Sequence, residues 1–236
     1  MIALGRHESV ELALERRPWT YALAQQSGIV RHWQLAKALS PAYFNGTVHM
    51  LTSGRAGGDA YRGELVRTDF ASFLHWRALG QPDRSVRCVG VGAVLWSADG
   101  AILLGTASRG MANAGRTYFF SGVLDERDVG ERHGADVVAG ALREVVEETG
   151  FALTELRPAS PWLWSIEDGV WVNFACEVRV DLPAAAIRER ILAHNAGLAD
   201  PELSDAVIVR EPADLDRPDI FDNSRAIVAR LLAQHP

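Results

Sequence analysis

Cysteine is scarce in this 236-residue chain: Cys88 and Cys176 sit in apolar surroundings without a partner motif. That excludes a disulfide-stapled scaffold and leaves two buried thiols in a reducing cytoplasm as the expectation. No apolar run is long enough to span a bilayer, and Met1–Glu8 lacks the apolar core of a secretory leader. A cytoplasmic protein with no membrane partner is therefore expected. Basic residues are in deficit, 24 against 30 acidic, for a net charge of −6. A nonspecific binder of nucleic acid polymers would carry a basic face, so none is expected. A single nucleotide stays open as a substrate, because a metal can neutralise its phosphates locally. Repeats and low-complexity tracts are absent. His49, His75, His133 and His194 have no ligand spacing. Gly90 and Gly92 lack the third glycine or the Gly-Lys-Ser/Thr that a phosphate loop needs, and are read as strand packing.

What the chain does have is Arg143-Glu144-Val145-Val146-Glu147-Glu148-Thr149-Gly150-Phe151. Val138, Ala141, Leu142 and Val145 recur at helical spacing and give a helix a side to bury, and Gly150 supplies the stop. On that helix Glu144, Glu147 and Glu148 fall close together, with Glu144 and Glu148 one turn apart. Like charges so placed repel by a few tenths of a kcal/mol per pair. The nearby cation is Arg143, four residues before Glu147. Carboxylates clustered in this way suit a hard divalent cation with oxygen ligands, such as Mg2+.

The stretch resembles the second half of the Nudix box, the motif of Mg2+-dependent hydrolases of nucleoside diphosphates linked to another group. All seven specified positions of that half match. The first half does not: the family spacing, counted back from Arg143, puts its Glu on Ala135 and its Gly on Val129. Ser121-Gly122-Val123, after Tyr118-Phe119-Phe120, is a better anchor for the glycine. From 122 to 143 is 21 positions where the family pattern has 14, which reads as a seven-residue insertion before the helix. The inserted loop holds Asp125, Glu126, Asp128, Glu131 and Asp136, any of which could replace the missing Glu.

Along the chain, residues 8–39 read as helical, with Pro18 interrupting and Pro41 enforcing a stop near Ser40. Thr47–Leu51 and Tyr61–Val66 read as strands joined by a Gly-rich loop, Ser53–Asp59. Asp69 is placed to cap a helix through about Leu79 that buries Phe70, Phe73, Leu74 and Trp76. Gly80–Asp83 is the clearest boundary. Beyond it come strands at 89–95 and 101–105 around an Ala98-Asp99-Gly100 turn, the acidic helix, and a hairpin at 162–178. A helix at 183–196, a short strand at 206–209 and a terminal helix at 224–234 complete the chain. The resemblance implies an α+β fold: a Nudix α/β/α sandwich with a mixed sheet over 85–236, behind a smaller N-terminal α+β extension, 1–84, docked on it. More weakly, the layout is similar to a UDP-sugar diphosphatase subgroup with an enlarged box loop.

The resemblance assigns Glu144, Glu147 and Glu148 as Mg2+ (or Mn2+) ligands, with Gly122 offering a backbone carbonyl or serving as a plain turn. Arg143 is taken to orient the carboxylates. Arg109, in the loop after the second strand, is either a bidentate grip on the diphosphate or a solvated loop residue. Glu202 is a candidate general base, with Asp200 and Asp205 competing. Trp164, sharing a strand face with Trp162 and followed by Trp171, either stacks a nucleobase or packs the core. The expected activity is hydrolysis of a nucleotide derivative, such as a nucleotide sugar or ADP-ribose, into two phosphorylated products. The degenerate first half keeps a second reading open, a Nudix-fold nucleotide-binding or regulatory module. The N-terminal extension is expected to form a pocket wall, with Ser53–Asp59 its mobile part, or else a structural cap or homodimer contact.

Overall fold

The computed structural model describes residues 1–236 apart from 42, 112, 131–133 and 235–236. Glu131 and His133 therefore lie outside the described residues. The chain opens with β1 (Ala3–His7) and β2 (Ser9–Leu14), then α1 (Thr20–Ala24) and α2 (Gln26–Leu39). The helix expected over Glu8–Arg16 is thus a strand. Val10, Leu12 and Leu14 alternate with exposed Glu11 and Ala13, so the operative period is two. β2 runs parallel to β4, with Leu12 beside Gly63.

β3 (Thr47–Gly57) and β4 (Ala60–Asp69) form one long hairpin. The expected Ser53–Asp59 loop is mostly strand: the pairing continues to Gly57 opposite Ala60, and Gly58 turns the chain at φ +59°. α3 (Phe70–Ala78) follows, and the Asp69 carboxylate caps it by accepting from the Ser72 amide at 2.7 Å. Phe73 and Trp76 are its fully buried rings, while Phe70 and Leu74 are half-buried.

β5 (Arg87–Trp96) and β6 (Ile102–Ala107) flank the turn at Gly100, whose φ of +78° suits glycine. Next come β7 (Thr117–Tyr118), β8 (Phe120–Val123), β9 (Val129–Gly130), β10 (Gly134–Ala135) and α4 (Val137–Thr149). β11 (Arg157–Asp168), β12 (Trp171–Arg179), α5 (Ala184–Ala196), β13 (Leu203–Val209) and α6 (Asp222–Leu232) complete the fold. The described strands join one mixed sheet: β12 is parallel to β5, while β3, β6 and β8 meet β5 antiparallel.

The sheet carries helices on both faces because β5 alternates. Ala93 and Leu95 pack toward α4 and α5, with Ala141, Val145, Ile187 and Ile191. Val94 and Trp96 point the other way, onto Ile227, Val228 and Leu231 of α6. An α+β fold of this layering is what the sequence implied. Residues 1–84 share the sheet: β1 pairs with β11, β3 with β5 and β2 with β10. They also share two apolar clusters, one joining Leu51, Tyr61 and Leu65 to Val91 and Phe174, the other joining Phe73 and Trp76 to Val86 and Cys88. Among the described residues, no helix is long and apolar enough to cross a membrane.

Candidate active site

α4 positions the acidic cluster. Asp136 caps its start by accepting from the Ala139 amide, and Gly150 ends it at φ +71°. The carbonyls of the last turn are satisfied from α5, where Asn195 donates to the Glu148 carbonyl at 2.8 Å and His194 meets the Glu147 carbonyl at 3.0 Å. The buried face of α4 carries Val137, Ala141 and Val145, and also Glu144 and Glu148. Val138, expected on that face, is exposed instead, one position out of register with it.

Glu144 and Glu148 retain only 8% and 3% of their surface. Burial pushes Glu144 up to about 7; the Arg143 charge pulls against this, and Glu147 and Glu202 add to it. Burial also pushes Glu148 well above the carboxylate range, reinforced by the charges of Glu144 and Glu202 and opposed by the Ser121 backbone. Among the described residues, Glu148 Oε2 is buried without a hydrogen-bond partner. Gly122, on β8, faces this pair: a Cβ there would collide with the Glu144 carboxylate. The glycine therefore lets the carboxylate lie flat against the strand.

Glu147 points elsewhere. It is more exposed and is held by Arg143 Nη1 at 3.1 Å and Arg127 Nη1 at 2.9 Å. Arg143 is the hub of the site. Its Nε and Nη2 donate to the two Asp128 oxygens at 3.1 and 2.7 Å, and its Nη1 reaches Glu144 at 2.7 Å. Burial alone would lower the Arg143 pKa, but Asp128 and Glu144 hold it well above the usual range. Among the described loop acids, Asp128 is the one bound bidentately to Arg143. Asp125 stands 4.0 Å away, and Asp136 is used as a helix cap. Ala135 and Val129, where the family spacing puts the missing pair, face each other in the β9–β10 hairpin.

Glu202 is exposed just before β13, and its carbonyl accepts from the Ser108 amide at 2.8 Å. Protein crowded around its carboxyl raises the pKa, as does the Glu147 charge. Its charge is felt at both Glu144 and Glu148. Of its competitors, Asp205 is paired with Arg188 at 2.7 Å and Asp200 is exposed.

A cavity of about 600 Å3 opens beside Ser121 and Gly122 and runs toward α3. Two expectations are corrected at its walls. Trp164 cannot stack a base: it is 3% exposed, packs on the α6 face, and its Nε1 donates to buried Glu177 at 3.1 Å. Trp171 is the tryptophan that lines the cavity. Arg109 is exposed and does not line it, whereas Arg116, later in the same loop, does. Sequence reasoning missed Arg116, Tyr118 and Arg77. The only signal for them was position, in the loop before the glycine or on a helix with an apolar face.

Among the described residues, no three His, Cys, Asp or Glu side chains already converge as a metal set. The pair Glu144 and Glu148 nevertheless fits a hard cation. Both are buried carboxylates, one has a free oxygen, and Mg2+ is commonly held through one or two carboxylates while keeping its waters. Two of the described histidines do other work: His49 contacts the Leu124 carbonyl and His75 the Tyr21 hydroxyl. Cys88 and Cys176 are both buried and unpaired.

No family model and no curated protein matches the chain. Among solved structures it is similar to a Nudix hydrolase from M. smegmatis, RenU, at 13% identity over 64% of this chain and 88% of that one, with a TM-score of 0.41. It is similar to a Nudix hydrolase from Nitrosomonas europaea at 16% identity, over 63% and 71% of the two chains, with a TM-score of 0.43. A third is a bifunctional NMN adenylyltransferase/ADP ribose pyrophosphatase from Francisella tularensis, complexed with AMP and a Mn ion. There the identity is 13%, over 69% of this chain and 46% of that one, and the TM-score is 0.44. Likenesses of this degree leave the activity to be argued from the side chains. The first two of these structures bear the name of the family that Arg143–Phe151 resembles.

Proposed function

We propose that this chain is a Nudix-type hydrolase, dependent on Mg2+ or Mn2+, that cleaves the diphosphate linkage of a nucleoside diphosphate joined to another group. A nucleotide sugar or ADP-ribose is the substrate proposed. The observation that carries this reading is the pair Glu144 and Glu148, buried on one face of α4 beside Gly122 and a cavity of about 600 Å3. Two carboxylates buried together inside a fold, with one of them paired to an arginine and the other left with a bare oxygen, are costly and are retained where something must be bound or moved. When bound there, a divalent cation would supply charge neutralisation and an activated water.

The chain's own residues do the rest. Arg143, fixed by Asp128, holds Glu144 in place while leaving Glu148 Oε2 free. Glu202 is proposed to take the proton as a water oxygen bonds to phosphorus and the bridging P–O bond breaks. The leaving phosphate departs on its own group, so both products are phosphorylated. A carboxylate with a raised pKa is better matched to that task near neutral pH than an ordinary one.

The alternative, a binding module without turnover, is motivated by Ala135 standing where the box Glu would be. The Asp128–Arg143 pair weighs against it, since it supplies the arginine with a carboxylate from the loop. Incubation with UDP-sugars, ADP-ribose, NADH and dinucleoside polyphosphates, with Mg2+ or Mn2+, separates the two readings. Metal-dependent release of two phosphorylated products is expected; nucleotide binding with no product from any of them would leave only the binding module.

A further inference from the structure

The loop between β6 and β7 places Arg116 in the cavity beside the carboxylate pair, and its surroundings are unusual for an arginine. Its Nε is buried with no hydrogen-bond partner, and among the described residues no carboxylate forms an ion pair with it. Its guanidinium carbon lies 4.6 Å over the centroid of the Phe221 ring. Stacking of this kind fixes the plane of the guanidinium and leaves its edge of N–H donors to face an acceptor. A buried donor without an acceptor is costly, so the arrangement calls for a ligand that supplies one.

The position is rigid. The Thr117 amide donates to the Asp219 carbonyl at 2.9 Å, and the Phe221 amide donates to the Thr117 carbonyl at 3.0 Å. The Thr117 hydroxyl donates to Asp219 Oδ2 at 2.7 Å. Arg116 and the ring it lies on are thereby stapled together from two distant stretches of chain. Tyr118 stands beside this station and lines the same cavity. Its ring centroid is 5.5 Å from that of Phe221. Burial, and then the Glu148 charge, push Tyr118 up to about 12. Tyr118, Phe221 and Arg116 follow one another along the cavity wall, and Gly122, against which the Glu144 carboxylate lies, lines the same cavity. The carboxylates that share the lining, Asp168 and Asp222, do not neutralise Arg116; Asp222 lies 3.8 Å from Arg225.

We propose that Arg116 is a substrate-binding residue that grips the second phosphate of a diphosphate whose first phosphate sits at Glu144 and Glu148. This rests on the hydrolase reading for the first phosphate only. It makes the site selective for two linked phosphates over one, and it moves the anion grip from Arg109 to Arg116.

Titration calorimetry on the full chain with Mg2+ tests it, using ADP against AMP and inorganic pyrophosphate against phosphate. Wild-type protein should prefer the diphosphate member of each pair. Arg116→Met should weaken the diphosphates by about tenfold to a hundredfold, the worth of a charge-assisted hydrogen bond, and the monophosphates far less. Arg116→Lys, which keeps the charge but loses the fork, should fall between. Arg109→Met should change neither ratio. If Arg116→Met leaves the ADP-to-AMP ratio intact, or wild-type protein shows no preference, the proposal is overturned. Should Arg116→Met fail to fold, Phe221→Leu removes the ring beneath the guanidinium and should lower the same ratio; an unchanged ratio there overturns the proposal as well. Binding needs no turnover. A wild-type preference lost in Arg116→Met, with no substrate hydrolysed, would support the phosphate grip and sink only the hydrolase reading.

Discussion

Glu144→Gln in metal-free buffer should make the protein more stable above neutral pH while removing its activity. The pKa of Glu144 lies at about 7 in the folded chain against 4.5 for an ordinary glutamate, because burial outweighs the help from Arg143. A carboxyl raised by folding favours the fold while it is protonated. Its contribution is therefore fully present below about pH 4.5 and is lost as pH rises through about 7. Each pH unit of displacement is worth about 1.4 kcal/mol, so lifting the group from 4.5 to about 7 costs the folded state on the order of 3 kcal/mol above neutral pH. Glu148 is displaced in the same direction and adds to the slope. Glutamine keeps the shape and does not ionise.

Urea denaturation followed by circular dichroism, at pH 5, 6, 7 and 8 with EDTA, reads this directly. Wild-type stability should decline over that range, and Glu144→Gln should flatten the decline, leaving the two proteins close at pH 5 and apart at pH 8. In a chain of this size, about 3 kcal/mol corresponds to a melting difference of roughly 6–12 °C. Adding Mg2+ should recover wild-type stability at pH 8 and do much less for the variant, because a ligand of the native state stabilises only what it binds. A variant less stable than wild type at pH 8 without metal, with the same pH slope, would refute the claim that these carboxylates are held against their own solvation.

Gly122→Ala should drive the Glu144 carboxylate off the strand; steady-state assays should show activity down about a hundredfold, the usual cost of a misplaced group, with a nearly native fold by circular dichroism. Asp128→Ala strips Arg143 of its bidentate partner but leaves it paired with Glu144 and Glu147, so it should cost about 1–3 kcal/mol in urea titrations. Trp164→Phe should lower stability, by freeing a Glu177 oxygen, yet leave nucleotide affinity unchanged; a loss of affinity in calorimetry would restore Trp164 to the substrate site. A chain starting at Ser85 uncovers the edge of β5, removes β1 from β11 and takes away the α3 side of the cavity, so it should aggregate on gel filtration. A soluble product as stable as the full chain, with unchanged substrate preference, would show that the extension neither docks nor shapes the pocket.

What was legible in the sequence is what lies close together along it. Arg143 to Gly150 sets its own geometry: helical spacing brings Glu144 and Glu148 to one face, and glycine ends the helix in a left-handed turn. The Asp69 cap and the β5–β6 turn were readable for the same reason. Choices between two nearby, chemically equivalent side chains were not. Arg109 and Arg116 share one loop. Arg116 stands where the loop closes, its carbonyl accepting from the Ala107 amide, and lines the cavity, while Arg109 remains out on the turn. Trp164 and Trp171 share one hairpin, but Trp164 lies under α6 while Trp171 lies beside Phe73 of α3, a difference set by which helix covers which end of the hairpin.

The fold ties the N-terminal 84 residues to the loop before α4. Within that loop β9 and β10 pair as a hairpin, Ala135 opposite Val129, and Ala135 also pairs with Leu12 of β2. The same loop carries Asp128, which closes on Arg143, and the Asp136 amide donates to the Asp128 carbonyl at 2.8 Å. The carboxylate that steadies the arginine of the site is thus set by a hairpin whose outer edge rests on the extension. An edge strand left bare would weaken that hairpin. Losing β2 should therefore loosen Asp128, and through it Arg143 and Glu144. On this reasoning the extension supports the site from two directions, by walling the cavity with α3 and by holding the loop that orients its carboxylates.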